Sequence, residues 1–295
     1  MEHFEFATKA NATTVLLQGG VHEGITVSYL VDIVKLAIER YPHIHPHFYS
    51  AVEIWNAAKV SKMSIDDALQ ALFDAGLRTI PGGGAEILSE RVRLIVSPKK
   101  IGPKGWEEVH KKAHKIGFKT TATMMYGHVE HSDDILEHLE SIRAIQDETQ
   151  GFQSFIPWSY KRDNTALRRK VTKWAGKEQY LRMIAFSRIY LDNFLHIGAS
   201  WFSEGKETGI ESLKYGADDF GGIILEENVH RATDFINKTD HNGIMKMIRQ
   251  AGFEPAQRNS FYQILRTYEG IDEVAVPNEG KVKENDKVEI LSADY

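Results

Sequence analysis

The sequence predicts an α/β fold, a (β/α) barrel or a partial barrel. Short apolar and β-branched runs alternate repeatedly with longer stretches of helical periodicity, the pattern of parallel βα units. The strand ends then run into polar, glycine or aromatic residues instead of plain turns, as where a barrel builds a ligand site at the C-terminal ends of its strands. A chain of 295 residues with 42% hydrophobic content can also bury a sizeable core. A doubly wound open sheet shares the alternation, because periodicity does not register closure.

Residues 13–17 form a β-branched and apolar run that stops at Gln18-Gly19-Gly20, a strand with its turn. Residues 27–40 place Leu30, Ile33, Val34, Ala37 and Ile38 at helical spacing. Residues 43–50 read as a short strand. Ser64 opens a helix with Asp66 and Asp67 in its first turn, and Gly76 ends it. Thr79-Ile80 is a strand leading into the triple glycine, Gly82-Gly83-Gly84, with a helix expected to start near Glu86. A helix over 103–116 closes at Gly117, and 119–125 is a strand. Ser132 opens a helix to about Thr149. Residues 152–156 form a strand, 178–193 a helix and 195–201 a further strand. The chain divides as a barrel over 1–200, an extension over 201–270 and a charged peripheral tail over 271–295.

Composition removes several classes of function. Net charge is −5, so no basic face is implied and nucleic acid is not an expected partner. No stretch approaches the roughly 18 continuous apolar residues of a membrane span. The N-terminus lacks the basic-then-apolar order of a signal peptide, which predicts a cytoplasmic protein. The chain contains no cysteine. Disulfides, thiolate catalysis and any thiolate metal site made by this chain alone are therefore excluded.

The candidate site residues sit at the strand ends: Gln18-Gly19-Gly20, Ser50 with Glu53, Pro81 to Glu86, Tyr126-Gly127-His128, Pro157-Trp158 and Ser200-Trp201. Three successive glycines exceed what a tight turn needs and let backbone amides approach a ligand. Glu86 at a helix start is either a cap favoured by the helix dipole or a ligand contact. His43, His45 and His47 alternate on a strand and share one side. His43 reads as surface and His47 as a site or core residue. A zinc site on His45 and His47 lacks a further histidine–aspartate set to complete it. His128, in a loop after a strand, is the better proton-shuttling candidate.

Taken in order, Leu17-Gln18-Gly19-Gly20, residues 81–88, residues 122–128, Gln146-Asp147-Glu148-Thr149, Phe155-Ile156-Pro157-Trp158, Ala199-Ser200-Trp201, Glu226-Glu227-Asn228 and Pro255-Ala256-Gln257-Arg258-Asn259 resemble one family. It is the cyclic dehypoxanthinyl futalosine synthases, radical SAM enzymes of menaquinone biosynthesis. The likeness runs from about Ala12 to about Leu265. The triple glycine alone also suits the sister enzymes, aminofutalosine synthase and the deazaflavin cofactor synthase; Phe-Ile-Pro-Trp and Pro-Ala-Gln-Arg-Asn favour the cyclase.

The resemblance implies a partial (β/α) barrel of the radical SAM type with a C-terminal helical and short-strand extension. It implies S-adenosylmethionine and a [4Fe–4S] cluster as cofactors, dehypoxanthine futalosine as substrate and an external electron donor. A 5′-deoxyadenosyl radical would take hydrogen from the substrate ribose, and the sugar radical would add to the benzoate-bearing ring. Gln18, Gly19 and Gly20 would grip the methionine end of S-adenosylmethionine, with Glu86 and Tyr126 also on the cofactor. Glu53 and His128 would serve catalysis. Gly82, Gly83, Gly84, Trp158, Ser200, Trp201, Glu226, Asn228 and Arg258 would face the substrate, Arg258 as a carboxylate partner. Gln257 and Asn259 belong to the same extension, and the alternative for Gln257, Arg258 and Asn259 is packing of the extension onto the barrel.

The chain departs from the family in one respect. The family carries a Cys-x-x-x-Cys-x-x-Cys loop after its first barrel strand, upstream of the matched region, and this sequence starts beyond it. The expectation is a barrel without its first strand, unable to bind the cluster or cleave S-adenosylmethionine, with an open sheet edge. A truncated cyclase, a cluster-free nucleoside-binding descendant and a zinc-dependent barrel hydrolase on His45 and His47 are the three readings.

Overall fold

A computed structural model describes residues 2–9, 12–171, 175–223 and 237–271. Its centre is a six-stranded, all-parallel sheet whose strands follow sequence order: β1 (Thr14–Leu17), β2 (His45–Phe48), β3 (Thr79–Ile80), β4 (Lys119–Tyr126), β5 (Phe152–Ser159) and β6 (His196–Ile197). Sequential parallel order is what βα units winding one way round a barrel produce, and it rules out the doubly wound alternative, whose strand order reverses. The sheet does not close: among the described residues the outer edge of β1 pairs with nothing. Leu16 on that edge is 58% exposed.

Each helix has a local cause. Helix α1 (Glu2–Lys9), which the sequence reading missed, stacks Phe4 on Tyr41 at 5.2 Å and sets it edge-on to Phe48. Thr26 caps α2 (Val27–Arg40) by accepting from the amide of Tyr29 at 3.2 Å. Helix α3 (Ala51–Ser61) was also not anticipated, although Ser50-Ala51-Val52-Glu53 is the Ser-x-x-Glu signature of a helix start. Ser64 caps α4 (Ile65–Asp74) as expected. Helix α5 begins at Glu90, not near Glu86, and runs to Val96. Glu86 itself has φ of 49°, a conformation that ends any helix there.

Pro103 opens α6 (Pro103–Ile116) and Gly117, at φ 114°, closes it. Helix α7 spans Ser132–Thr149 and α8 spans Lys177–Tyr190. The strand expected over 195–201 is only two residues long. Trp201 instead starts a short helix, α9 (Trp201–Glu204), followed by α10 (Lys206–Ser212), and both pack back on α8 or β5. Residues just beyond 200 thus continue the barrel's outer layer.

Alternation along β4 separates two faces. Thr120, Ala122 and Met124 are buried, whereas Thr121 and Thr123 are half-buried. The Thr120 hydroxyl meets the rings of His110 and His114 on α6, so the buried set faces the helices. Thr121, Thr123 and Met125 therefore face inward, in register with Ser154, Ile156 and Trp158 of β5. By the same register Leu16, His47 and Thr79 share that inner face.

The extension closes the lower end. Helix α11 (His241–Gln250) leads to a hairpin of β7 (Ala256–Arg258) and β8 (Ile264–Thr267). Its loop is folded by the Asn259 side-chain oxygen, which accepts from the amides of Phe261 and Gln263. Ser260 meets Thr14 at 2.6 Å, Phe261 lies edge-on to His45, and Tyr262 stacks on His196 at 4.0 Å. Those three partners begin β1, β2 and β6, so the hairpin loop sits across the N-terminal ends of the strands as a plug.

Candidate functional site

At the upper end, the strand-end loops are held by carboxylates. Glu53 accepts from the Gly19 amide at 2.8 Å with one oxygen; with the other it accepts from the Ser50 amide and hydroxyl, both at 2.7 Å. Burial pushes this carboxyl up, against the hydrogen bonds and Lys100, which draw it down. With both oxygens engaged, Glu53 ties the β1 loop to the start of α3. Gln18, Gly19 and Gly20 are exposed, and a Cβ on Gly20 would meet nothing within 4 Å.

Close packing dictates two of the three successive glycines, Gly82 and Gly84. A Cβ on Gly82 would lie 2.2 Å from the carbonyl oxygen of Thr121, and the hydroxyls of Thr121 and Thr123 bond the Gly82 amide and carbonyl at 2.9 and 2.8 Å. A Cβ on Gly83 would strike the Gln18 side chain at 2.2 Å. One on Gly84, whose φ is 79°, would strike Val52 at 2.5 Å. Arg93 bonds the carbonyls of Gly84 and Ala85 from beneath. Glu86 pairs with Lys100 at 3.1 Å and lends its carbonyl to the Met125 amide at 2.9 Å.

His128 is pinned within its own turn. Nε2 donates to the Met125 carbonyl at 2.8 Å, and Nδ1 accepts from the Val129 amide at 2.7 Å. Glu130 accepts from the Gly127 and His128 amides. The Tyr126 hydroxyl is buried without a partner, and burial raises its pKa.

Further round, Trp158 is half-buried on the inner face and packs with Met125, Tyr160 and Val171. Ser200 and Trp201, expected beside it, are buried instead. The Ser200 hydroxyl donates to the Pro157 carbonyl, its amide donates to the Tyr180 hydroxyl, and the Trp201 ring stacks parallel to Phe220.

Sequence reasoning missed a buried ion pair here. Glu204 accepts from the Ser159 amide and hydroxyl at 2.8 Å and pairs with Lys161 at 3.6 Å. Burial lowers the Lys161 pKa, opposed by Glu204. The lysine two residues past a strand end was the available signal.

Arg258 is not at the upper end. It belongs to the plug, bonded to Asp219, stacked on Tyr262 at 3.9 Å and donating to the Asn259 carbonyl. Its carboxylate partner is therefore internal. Glu226 and Asn228 lie outside the described residues. His45 and His47 both turn to the Thr79 hydroxyl, each at 2.7 Å. Among the described residues no three histidine, cysteine, aspartate or glutamate side chains are grouped to hold a metal.

A family model described as the CofH/MqnC C-terminal region matches residues 149–271. A cyclic dehypoxanthine futalosine synthase of Halalkalibacterium halodurans is 42% identical over 257 residues, covering 87% of this chain and 69% of that protein. One from Streptomyces coelicolor is 39% identical, covering 86% and 63%. The chain belongs to this radical SAM family. An aminodeoxyfutalosine synthase of Thermus thermophilus, at 35% identity over 88% of this chain and 71% of its own length, shows how near the sister activities lie. A crystal structure of methylornithine synthase (PylB) aligns with a TM-score of 0.63 at 13% identity, covering 86% of this chain and 72% of that one. That likeness concerns the fold alone. The chain thus spans about two thirds of the length of its futalosine relatives. Among the described residues no helix is long and apolar enough to cross a membrane.

Proposed function

We propose that this chain is the (β/α) body of a cyclic dehypoxanthine futalosine synthase acting in menaquinone biosynthesis in the cytoplasm, and that its inner face holds dehypoxanthine futalosine. The observation that carries this is 42% identity maintained across 87% of the chain, above the 35% shared with the aminodeoxyfutalosine synthase. The inner face adds chemistry suited to such a ligand. Trp158, backed by the buried Met125, offers an aromatic surface to an aromatic ring, and Thr121, Thr123 and His47 offer hydrogen bonds to a sugar.

Roles divide accordingly. Gln18 and Gly20 have free surface to meet the cofactor's polar end, with Gly19 held in place by Glu53. Glu53, Gly82, Gly83, Gly84, Glu86, Tyr126 and His128 shape the strand-end loops, and Ser200 and Trp201 support the wall that carries Trp158. Arg258 fixes the floor.

The family's radical chemistry draws on S-adenosylmethionine and a thiolate-held [4Fe–4S] cluster. The residues present do not fit that cluster: none of the 295 is a cysteine, and among the described residues no other donor set replaces the thiolates. No step through the cluster is assigned to these residues. Anaerobic reconstitution with iron and sulfide is expected to give no thiolate-to-iron absorbance, and a stoichiometric cluster would overturn this.

Calorimetric titration tests the substrate assignment. Dehypoxanthine futalosine should bind one per chain and more tightly than 5-amino-6-(D-ribitylamino)uracil, named for the sister transferase of Methanopyrus kandleri. Equal or reversed preference would move the assignment to a sister activity.

A further inference from the structure

The geometry points to a proton relay, His47–Thr79–His45, that leads from the inner face of the barrel to its plugged lower end, with His47 Nε2 as the group that meets the ligand. This deepens the substrate reading above and rests on it for the identity of the ligand.

Two observations carry it. First, one hydroxyl serves two imidazoles: Thr79 Oγ1 lies 2.7 Å from His47 Nδ1 and 2.7 Å from His45 Nε2. A hydroxyl has a single proton to donate. It therefore donates to one ring and accepts from the other, and the two tautomers are coupled. Second, His47 lies on the inner face and is half-buried. Among the described residues its Nε2 has no protein partner, yet it is not sealed from solvent. That nitrogen is open to a molecule in the lumen, whereas His45 sits at the first residue of β2 beneath Phe261 of the plug.

The coupling has two states. In one, Thr79 donates to His45 Nε2 and accepts from His47 Nδ1–H, which leaves His47 Nε2 bare and able to accept. In the other, every proton has moved one place and His47 Nε2 carries a hydrogen to donate. When a ligand in the lumen loses a proton, its electron pair stays on the ligand and the proton joins His47 Nε2. The Nδ1 proton of His47 passes to Thr79, the Thr79 proton passes to His45 Nε2, and His45 releases its Nδ1 proton to water at the lower end. One proton leaves the lumen and one reaches solvent, with no net charge stored. Burial lowers both histidines, His47 to about 3, so the resting pair is neutral at pH 7. The charged groups facing the pair are Arg258, which further disfavours a cation on His47, and Asp219, which Arg258 holds; the register neighbour Leu16 carries none.

The test is long-range 1H–15N correlation of the intact chain with labelled histidines at pH 7.5, free and with dehypoxanthine futalosine. His45 Nε2 and His47 Nδ1 should together carry one proton. Thr79→Ser should preserve that sum and Thr79→Val should abolish it. A sum of two or zero, or an unchanged pattern in Thr79→Val, would overturn the relay. Added ligand should shift the His47 Nε2 resonance, and a bound ligand that leaves it unmoved would overturn the lumen end. The tautomer sum needs no ligand, so failure of the substrate reading, seen as no binding by calorimetry, is separable from failure of the relay.

Discussion

At the scale of single residues, the glycines of the strand-end loops separate into two kinds. Gly82 is required by backbone: a methyl group there would meet the Thr121 carbonyl, which has no side-chain freedom to move aside. Gly82→Ala should destabilise the fold by about 3 kcal/mol or more, as overpacking against a fixed neighbour does. Gly20 faces open space. Gly20→Ala should leave the unfolding free energy from urea titration unchanged to within about 0.5 kcal/mol, and any loss of ligand affinity it causes then reports on contact. Glu53→Gln should cost about 1–3 kcal/mol, because its amide group must face a donor where the carboxylate accepted three; urea unfolding checks this. The sequence singled these positions out. It could not tell a glycine packed against backbone from one kept open, since that depends on a strand some forty positions away.

At the scale of elements, legibility followed the strength of local signals. The helices over 27–40, 103–116 and 132–149 were plain because caps, proline and terminal glycine agreed with apolar spacing. Helix α3 was passed over although its capping box stands in the sequence. Its alanine-rich middle lacks a contrast between faces, and both faces are in fact largely buried. The strand after 195 was overextended because Trp201 reads as a strand residue, while its partner ring Phe220 is distant in sequence.

The junction of α6, β4 and α7 also stores a pH dependence. His114 bonds the Thr120 and Thr149 hydroxyls, His110 bonds Thr120, and burial lowers His114 to about 3 and His110 well below its ordinary value. Both are neutral in the folded chain, and the unfolded chain protonates them near pH 6.5. Stability is then full above pH 6.5 and falls as pH drops from there toward 3, by about 1.4 kcal/mol per pH unit for each histidine. His114→Gln should flatten the dependence of the urea midpoint on pH between 6 and 4.5 by about one histidine's share. An unchanged slope would remove His114 from the account.

At the scale of the whole molecule, the arrangement is a partial barrel with carboxylate-braced loops above, a hairpin plug below and a half-polar wall between. The parallel βα pattern was legible from alternation, whereas the sequential strand order was not, because a doubly wound sheet alternates in the same way. The plug was not, because its contacts join residues such as Thr14 and Ser260 from opposite ends of the chain. Phe261→Ala should loosen the lower end without disturbing the upper loops, seen as faster hydrogen exchange at Thr14 and His45 and unchanged exchange at Gly127 and His128.

The central claim is that the inner face of this barrel holds dehypoxanthine futalosine. Hydrogen-exchange footprinting of the chain with and without that nucleoside tests it most directly. The account predicts slowed exchange at residues 18–20, 125–128 and 158–161, and none at the outer helices. Binding with protection confined to the outer surface, or no protection at any of the three strand ends, would contradict it.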